Sequence, residues 1–92
     1  MIYSEVYLLS FNDLYTKTFA TRYGKLPKID QKRIIQLIDD LKENPKLGKE
    51  LAKFHGWWSA KKGYLRIIFS IDWNRQEIIF RSLAVRKKWK KR

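Results

Sequence analysis

Three apolar runs, WWSAK, YLRIIFSID and EIIFRSLAV, follow one another in the C-terminal part of the chain. Only Lys62-Gly63 and Trp73-Asn74-Arg75-Gln76 separate them. Runs of this kind with tight breaks read as a meander of antiparallel strands. In the second run Leu65, Ile67, Phe69 and Ile71 fall on one face, while Tyr64, Arg66, Ile68 and Ser70 fall on the other. The first face is suited to pack on helices. The second carries a charged arginine in mid-strand, which marks it for something other than a core.

The helices to cover that sheet lie upstream. KIDQKRIIQLIDDLKENP places Ile34, Leu37, Ile38 and Leu41 on one stripe at helical spacing. Asp30 is the expected cap, Ile29 and Ile34 the expected staple, and Pro45 the stop. Before it, Ser10 followed by Asp13 resembles a capping box. It would open a helix with Phe11, Leu14, Tyr15, Thr18 and Phe19 on one face, stopped by Gly24 and Pro27. The opening IYSEVYLLS alternates as a strand, and KLGKELAKFHG reads as turn. The expected fold is α+β. Its order is β-α-α-β-β-β with a short basic C-terminal helix, and an antiparallel sheet packs on a helical hairpin. One domain spans residues 1–92, a length that buries about 60% of the unfolded surface and supports one modest core.

A net charge of +12 on 92 residues makes such a chain repel itself, and the excess suits a polyanionic partner. The aromatic fraction of 15% is higher than a disordered basic protein carries. With no cysteine there are no disulfides, thiolate nucleophiles or cysteine zinc sites, which fits a reducing cytoplasm. No apolar run reaches membrane-span length, and MIYSEVYLLS has neither charged leader nor cleavage site, so neither a membrane nor a secretory destination is expected. The single histidine, His55, excludes a histidine acid–base pair and any multi-histidine metal site within one chain. Catalysis would rest mainly on Lys, Arg, Tyr and carboxylates.

In sequence order, residues 26 to 89 resemble the RelE/ParE superfamily of small bacterial and archaeal toxins. LPKIDQKRIIQLIDDLKENPKLGKEL is similar to the family's second helix and following turn. GWWSAKKGYLRIIFSID is similar to its central hairpin, and RSLAVRKKW to its last strand and ending. The resemblance implies a metal-independent, ribosome-dependent endoribonuclease that acts on mRNA in the ribosomal decoding site. It also implies neutralisation by a cognate acidic antitoxin. Arg66 matches the arginine of the family's Y-R motif, Lys61 the basic position before the glycine, and Arg86 the arginine of H-R. Leu65 stands where the family has tyrosine, that ring having moved to Tyr64, and Val85 replaces the histidine. The family's C-terminal tyrosine or histidine has no counterpart, because residues 87 to 92 read Lys-Lys-Trp-Lys-Lys-Arg.

RNA is cut without water when its own 2′-hydroxyl attacks the adjacent phosphate. The reaction needs a base, positive charge at the phosphate and a proton donor for the leaving oxygen. Arg66 and Arg86 suit the phosphate, since a guanidinium stays charged and its fork matches two oxygens. Lys61 is the candidate base, because Lys62 and Arg66 beside it favour a neutral amine. Tyr64 and His55 are both open as the acid. Lys62, Tyr64, Arg81, Lys87, Lys88 and Trp89 are the expected RNA contacts, with Trp89 placed to stack on a base and the tail forming one wall of a groove.

Plainer readings stand beside these. Arg66 could cover the open face and pair with an acid. His55 could be a turn residue, and Asp39, Asp40 and Glu43 a solvated helix face rather than a metal cluster. Two other functions fit the same resemblance: a ParE-like inhibitor of DNA gyrase that cuts nothing, and a catalytically silent RNA- or ribosome-binding module.

Overall fold

The computed structural model describes residues 11–86. The alternating segment before Phe11, Ser10 itself, and the stretch expected to be a short basic C-terminal helix, with Lys87, Lys88 and Trp89, lie outside the described residues. The elements are β1 (Asn12–Tyr15), α1 (Lys17–Gly24), α2 (Lys28–Glu43), a 3₁₀ turn (Pro45–Leu47), β2 (Lys49–Glu50), β3 (Trp57–Lys62), β4 (Leu65–Asp72) and β5 (Glu77–Val85).

The three apolar runs form the antiparallel meander β3-β4-β5, as their spacing predicts. Two further strands extend it to a five-stranded sheet in the order β1-β5-β4-β3-β2. The sheet is mixed rather than wholly antiparallel, because β1 runs parallel to β5. Strand β2 lies in the stretch expected to be turn, and pairs Lys49 with Ser59 and Glu50 with Trp58. Between β4 and β5 the register slips at Ile68/Phe69. Ile68 faces Ser82 and Phe69 faces Phe80, so Arg81 is the extra residue of a bulge.

The helical stripe of α2 is buried as expected. Ile34, Leu37, Ile38 and Leu41 join Phe19 of α1 in one cluster with Leu65, Ile67 and Phe69 of β4 and Ile78, Phe80 and Leu83 of β5. Ile71 packs at its margin. The helices therefore cover one face of the sheet, the face the alternation of β4 assigns to the core.

Three local expectations are corrected. The first helix does not open at a Ser10–Asp13 box: Asn12–Tyr15 is strand, and Thr16 is the cap, its Oγ1 accepting from Phe19 N at 3.1 Å. The same hydroxyl donates to the Arg81 carbonyl at 2.8 Å, tying the helix start to the edge of β5. Asp30 does not cap α2. Pro27 holds the cap position with extended backbone, and Asp30 sits in the first turn, buried. With the helix starting earlier, Ile29 turns outward at 56% exposure, so the staple with Ile34 is not made.

Candidate nucleic-acid interface

Alternation along β3 and β4 sets the composition of the sheet's other face. Trp57, Ser59 and Lys61 of β3 lie opposite Ser70, Ile68 and Arg66 of β4, pair by pair. Lys61 and Arg66 are thus direct cross-strand neighbours, an arrangement of like charges that disfavours pairing. On its other side Arg66 faces Ala84 of β5. The two-residue turn Gly63-Tyr64 closes β3 onto β4, with Gly63 at φ +63°, a conformation glycine adopts at little cost. Arg86 is drawn to the same end, its backbone N–H donating to the Tyr64 carbonyl at 2.6 Å.

These constraints bring the three basic residues expected to do chemistry to one place. Lys61, Arg66 and Arg86, with Gly63, Tyr64 and Leu65, line a cavity of about 100 Å³. A second, of about 450 Å³, lies on the β2 side and is lined by Leu47, Lys49, Ser59, Ala60, Lys61 and Arg66. Lys61 and Arg66 belong to both. Among the described residues the ion pairs are Arg33–Asp30, Lys42–Asp13 and Arg75–Asp72, so the plain reading of Arg66 as one half of a surface ion pair finds no acid there. Arg66 Nε is buried and has no hydrogen-bond partner among the described residues. A buried unsatisfied donor of this kind needs an explanation, and an anion supplied from outside is one.

The other expected contacts are distributed less tightly. Tyr64 lines the small cavity but turns its hydroxyl to α2, donating to Asp30 Oδ1 at 2.7 Å and accepting from Arg33 Nη1 at 3.4 Å. The bond to the carboxylate is the main cause that raises the phenol above its ordinary 10.0. Lys62 pairs with Leu65 and so stands on the face opposite Lys61. Arg81 is on the open face, its Nε donating to Ser70 Oγ at 2.9 Å and its guanidinium lying 4.9 Å from the centre of the Trp57 ring. His55 is exposed in the loop before β3 and does not line either cavity. Among the described residues no group of three His, Asp or Glu side chains comes together to hold a metal ion. No helix there is long and apolar enough to cross a membrane.

Lys49, Leu47 and the exposed ring of Trp57 were not singled out from the sequence. Lys49 sits in a two-residue strand with no periodic signal. Trp57 could have been found, because it stands four residues before Lys61 and period two places both on one face.

No sequence-family profile and no characterised protein sequence matches the chain. Solved structures do. The toxin–antitoxin complex RelBE2 from Mycobacterium tuberculosis aligns with a TM-score of 0.80 at 23% identity, covering 87% of this chain and 95% of that one. The isolated RelE toxin of E. coli aligns at 0.78 with 10% identity, covering 87% and 88%. The archaeal RelE–RelB complex from Pyrococcus horikoshii aligns at 0.71 with 21% identity, covering 87% and 99%. With its helical pair on one face of a five-stranded mixed sheet, and with overlaps of this extent, the chain has the RelE fold.

Proposed function

We propose that the chain is the toxin of a type II toxin–antitoxin system, and that it cuts mRNA on the ribosome without a metal. One observation carries the reading: Lys61, Arg66 and Arg86 line a single small cavity, and the buried Nε of Arg66 has no partner among the described residues. The RelE fold supports it, since the similar structures are RelE toxins and their complexes with RelB antitoxins.

In the proposed reaction the 2′-oxygen bonds to phosphorus and the bond from phosphorus to the 5′-oxygen breaks. The 2′-hydroxyl proton passes to Lys61, and an acid returns a proton to the leaving 5′-oxygen. The products are a 2′,3′-cyclic phosphate and a 5′-hydroxyl. Arg66 and Arg86 hold the non-bridging oxygens, where negative charge grows in the transition state. Tyr64 is the nearest phenol to the cavity, but its proton is already engaged with Asp30. The partners are the message in the decoding site, the ribosome and an acidic antitoxin, and the compartment is the cytoplasm.

Cell-free translation of a defined message tests the reading. Fragments ending in 2′,3′-cyclic phosphate should appear when ribosomes are present and not when they are omitted. Association should weaken steeply as salt rises, because several Lys and Arg displace counterions from phosphates. Intact message together with inhibited DNA supercoiling would instead establish the gyrase-directed alternative. Intact message with ribosome binding would establish a silent binding module.

A further inference from the structure

The same open face carries an aromatic pair outside the basic cavity. Phe54 is 57% exposed and Trp57 36% exposed, against 0% for Phe69 on the core face. The two rings lie 6.0 Å apart, tilted by 36°. They are held in place: Leu51 N donates to the Trp57 carbonyl at 2.8 Å, Trp57 N to the Phe54 carbonyl at 3.0 Å, and Gly56 N to Glu50 Oε2 at 3.3 Å. Arg81, fixed by Ser70, packs its guanidinium on the indole. Aromatic surface left in water beside a cation does little for stability alone, and it is the composition on which bases stack.

Position supplies the second argument. Trp57 and Lys61 share one face of β3, four residues and roughly 13 Å apart along the strand. Between them on that face lie Ser59 and its cross-strand neighbour Ile68, both uncharged.

We propose that Phe54 and Trp57 form a stacking platform for an unpaired base of the same RNA strand whose phosphate enters the Lys61–Arg66–Arg86 cavity. This rests on the nuclease reading and assigns it a binding subsite for single-stranded RNA. The base lies on exposed ring surface, which every base can use, so the platform sets affinity and strand direction more than sequence.

The test compares a short unstructured RNA oligonucleotide with an abasic strand of equal length, which has the phosphates and lacks the bases. The full chain should bind the RNA more tightly than the abasic strand. Phe54→Ala should weaken RNA binding about tenfold and leave abasic binding unchanged. Trp57→Phe, which keeps a ring, should retain most of the discrimination. In ribosome-dependent cleavage Phe54→Ala should raise KM with little change in kcat, and thermal melting should show both variants folded. If Phe54→Ala binds both strands and cuts message as the parent does, the platform is overturned and the nuclease reading stands. If the parent neither binds nor cuts RNA, both fall together. If Phe54→Ala leaves RNA untouched and instead loses binding to the antitoxin, the aromatic pair is a protein interface and the platform is overturned.

Discussion

Leu65, Ile67 and Phe69 of β4 are wholly inaccessible to solvent, while Arg66 and Ile68, the residues between them, are only half-buried. The two faces of this strand answer to different requirements. On the helix side every position is filled by an apolar group packed against α1, α2 and β5, and nothing polar needs a partner. On the open side Arg66 faces Lys61 across the strands and holds a buried Nε with no partner among the described residues. A sheet selected for stability alone would put neither like charges opposite one another nor an unsatisfied donor under cover. One face thus accounts for the fold and the other for what the fold presents.

Substitutions on the two faces should separate stability from activity. The largest effect is expected from Phe69→Ala. Its ring meets Trp58 at 6.5 Å and Phe80 at 6.0 Å, and its loss should cost about 3–5 kcal/mol. That is a large share of the roughly 5–15 kcal/mol that holds a domain folded, so chemical denaturation should show a much lower midpoint or no transition. A midpoint near that of the parent would mean that the helix-side face is not the core.

Arg66→Ala, three residues away on the opposite face, should do the reverse. Message cleavage should fall on the order of a hundredfold, as for loss of one transition-state contact, with melting unchanged or slightly raised. Removing an unsatisfied donor and a like-charge neighbour takes nothing stabilising from the fold. If the variant cuts at the parental rate, the basic cavity is not the reaction site.

The comparison also explains what could be read from residue order. The stripe Ile34, Leu37, Ile38, Leu41 repeats over a 16-residue helix, and Leu65, Ile67, Phe69 alternate over an eight-residue strand. Such periods are local and survive without knowledge of the partner. Strand β1 has four residues, and its partner Glu77–Phe80 is far away in the chain, so no local period announces it. Ser10 and Asp13 have the spacing of a capping box, but pairing to β5 takes Asn12–Tyr15 into the sheet and moves the cap to Thr16. Lys61, Arg66 and Arg86 come from the resemblance rather than from any period, and alternation alone places only Lys61 and Arg66 on one face of the hairpin. The engagement of Tyr64 with Asp30 was not legible, since it joins groups 34 positions apart.

A smaller loss of stability is expected from Gly48→Ala. A Cβ there would stand 2.8 Å from Phe69 Cζ and 2.8 Å from the Ser59 carbonyl oxygen, and the latter is backbone that cannot swing aside. Overpacking of this kind costs about 1–3 kcal/mol. In a domain of this size that lowers Tm by about 4–8 °C per kcal/mol. The lesion lies on the core side of the β2–β3 edge, so cleavage by the folded fraction should stay close to parental. Loss of cleavage without loss of Tm would show that β2, and with it Lys49, acts in the site rather than merely bordering it.

The smallest effect is expected at the turn where the two faces meet. The phenol of Tyr64 is raised above its ordinary 10.0, chiefly by its hydrogen bond to Asp30. Tyr15 is raised too, first by partial burial and then by its bond to Asp13. For a raised tyrosine, folded and unfolded chains are both protonated below the unfolded value, and the stabilisation is fully present there. Above it the unfolded chain releases its proton while the folded chain keeps it, so stability falls as pH rises towards the folded value. Tm should therefore decline as pH rises past the ordinary tyrosine value of 10.0, and Tyr64→Phe should make that decline shallower because one of the two linked phenols is gone. Cleavage near neutral pH gives the complementary answer. A tyrosine that serves only to fix the β3–β4 turn against α2 can lose its hydroxyl with a few-fold effect at most. A tyrosine that protonates the leaving oxygen cannot, and its loss would lower kcat as far as Arg66→Ala does. The first outcome assigns Tyr64 to the scaffold under the basic cavity. The second moves it into the reaction and requires its proton to leave Asp30 for the substrate when RNA is bound.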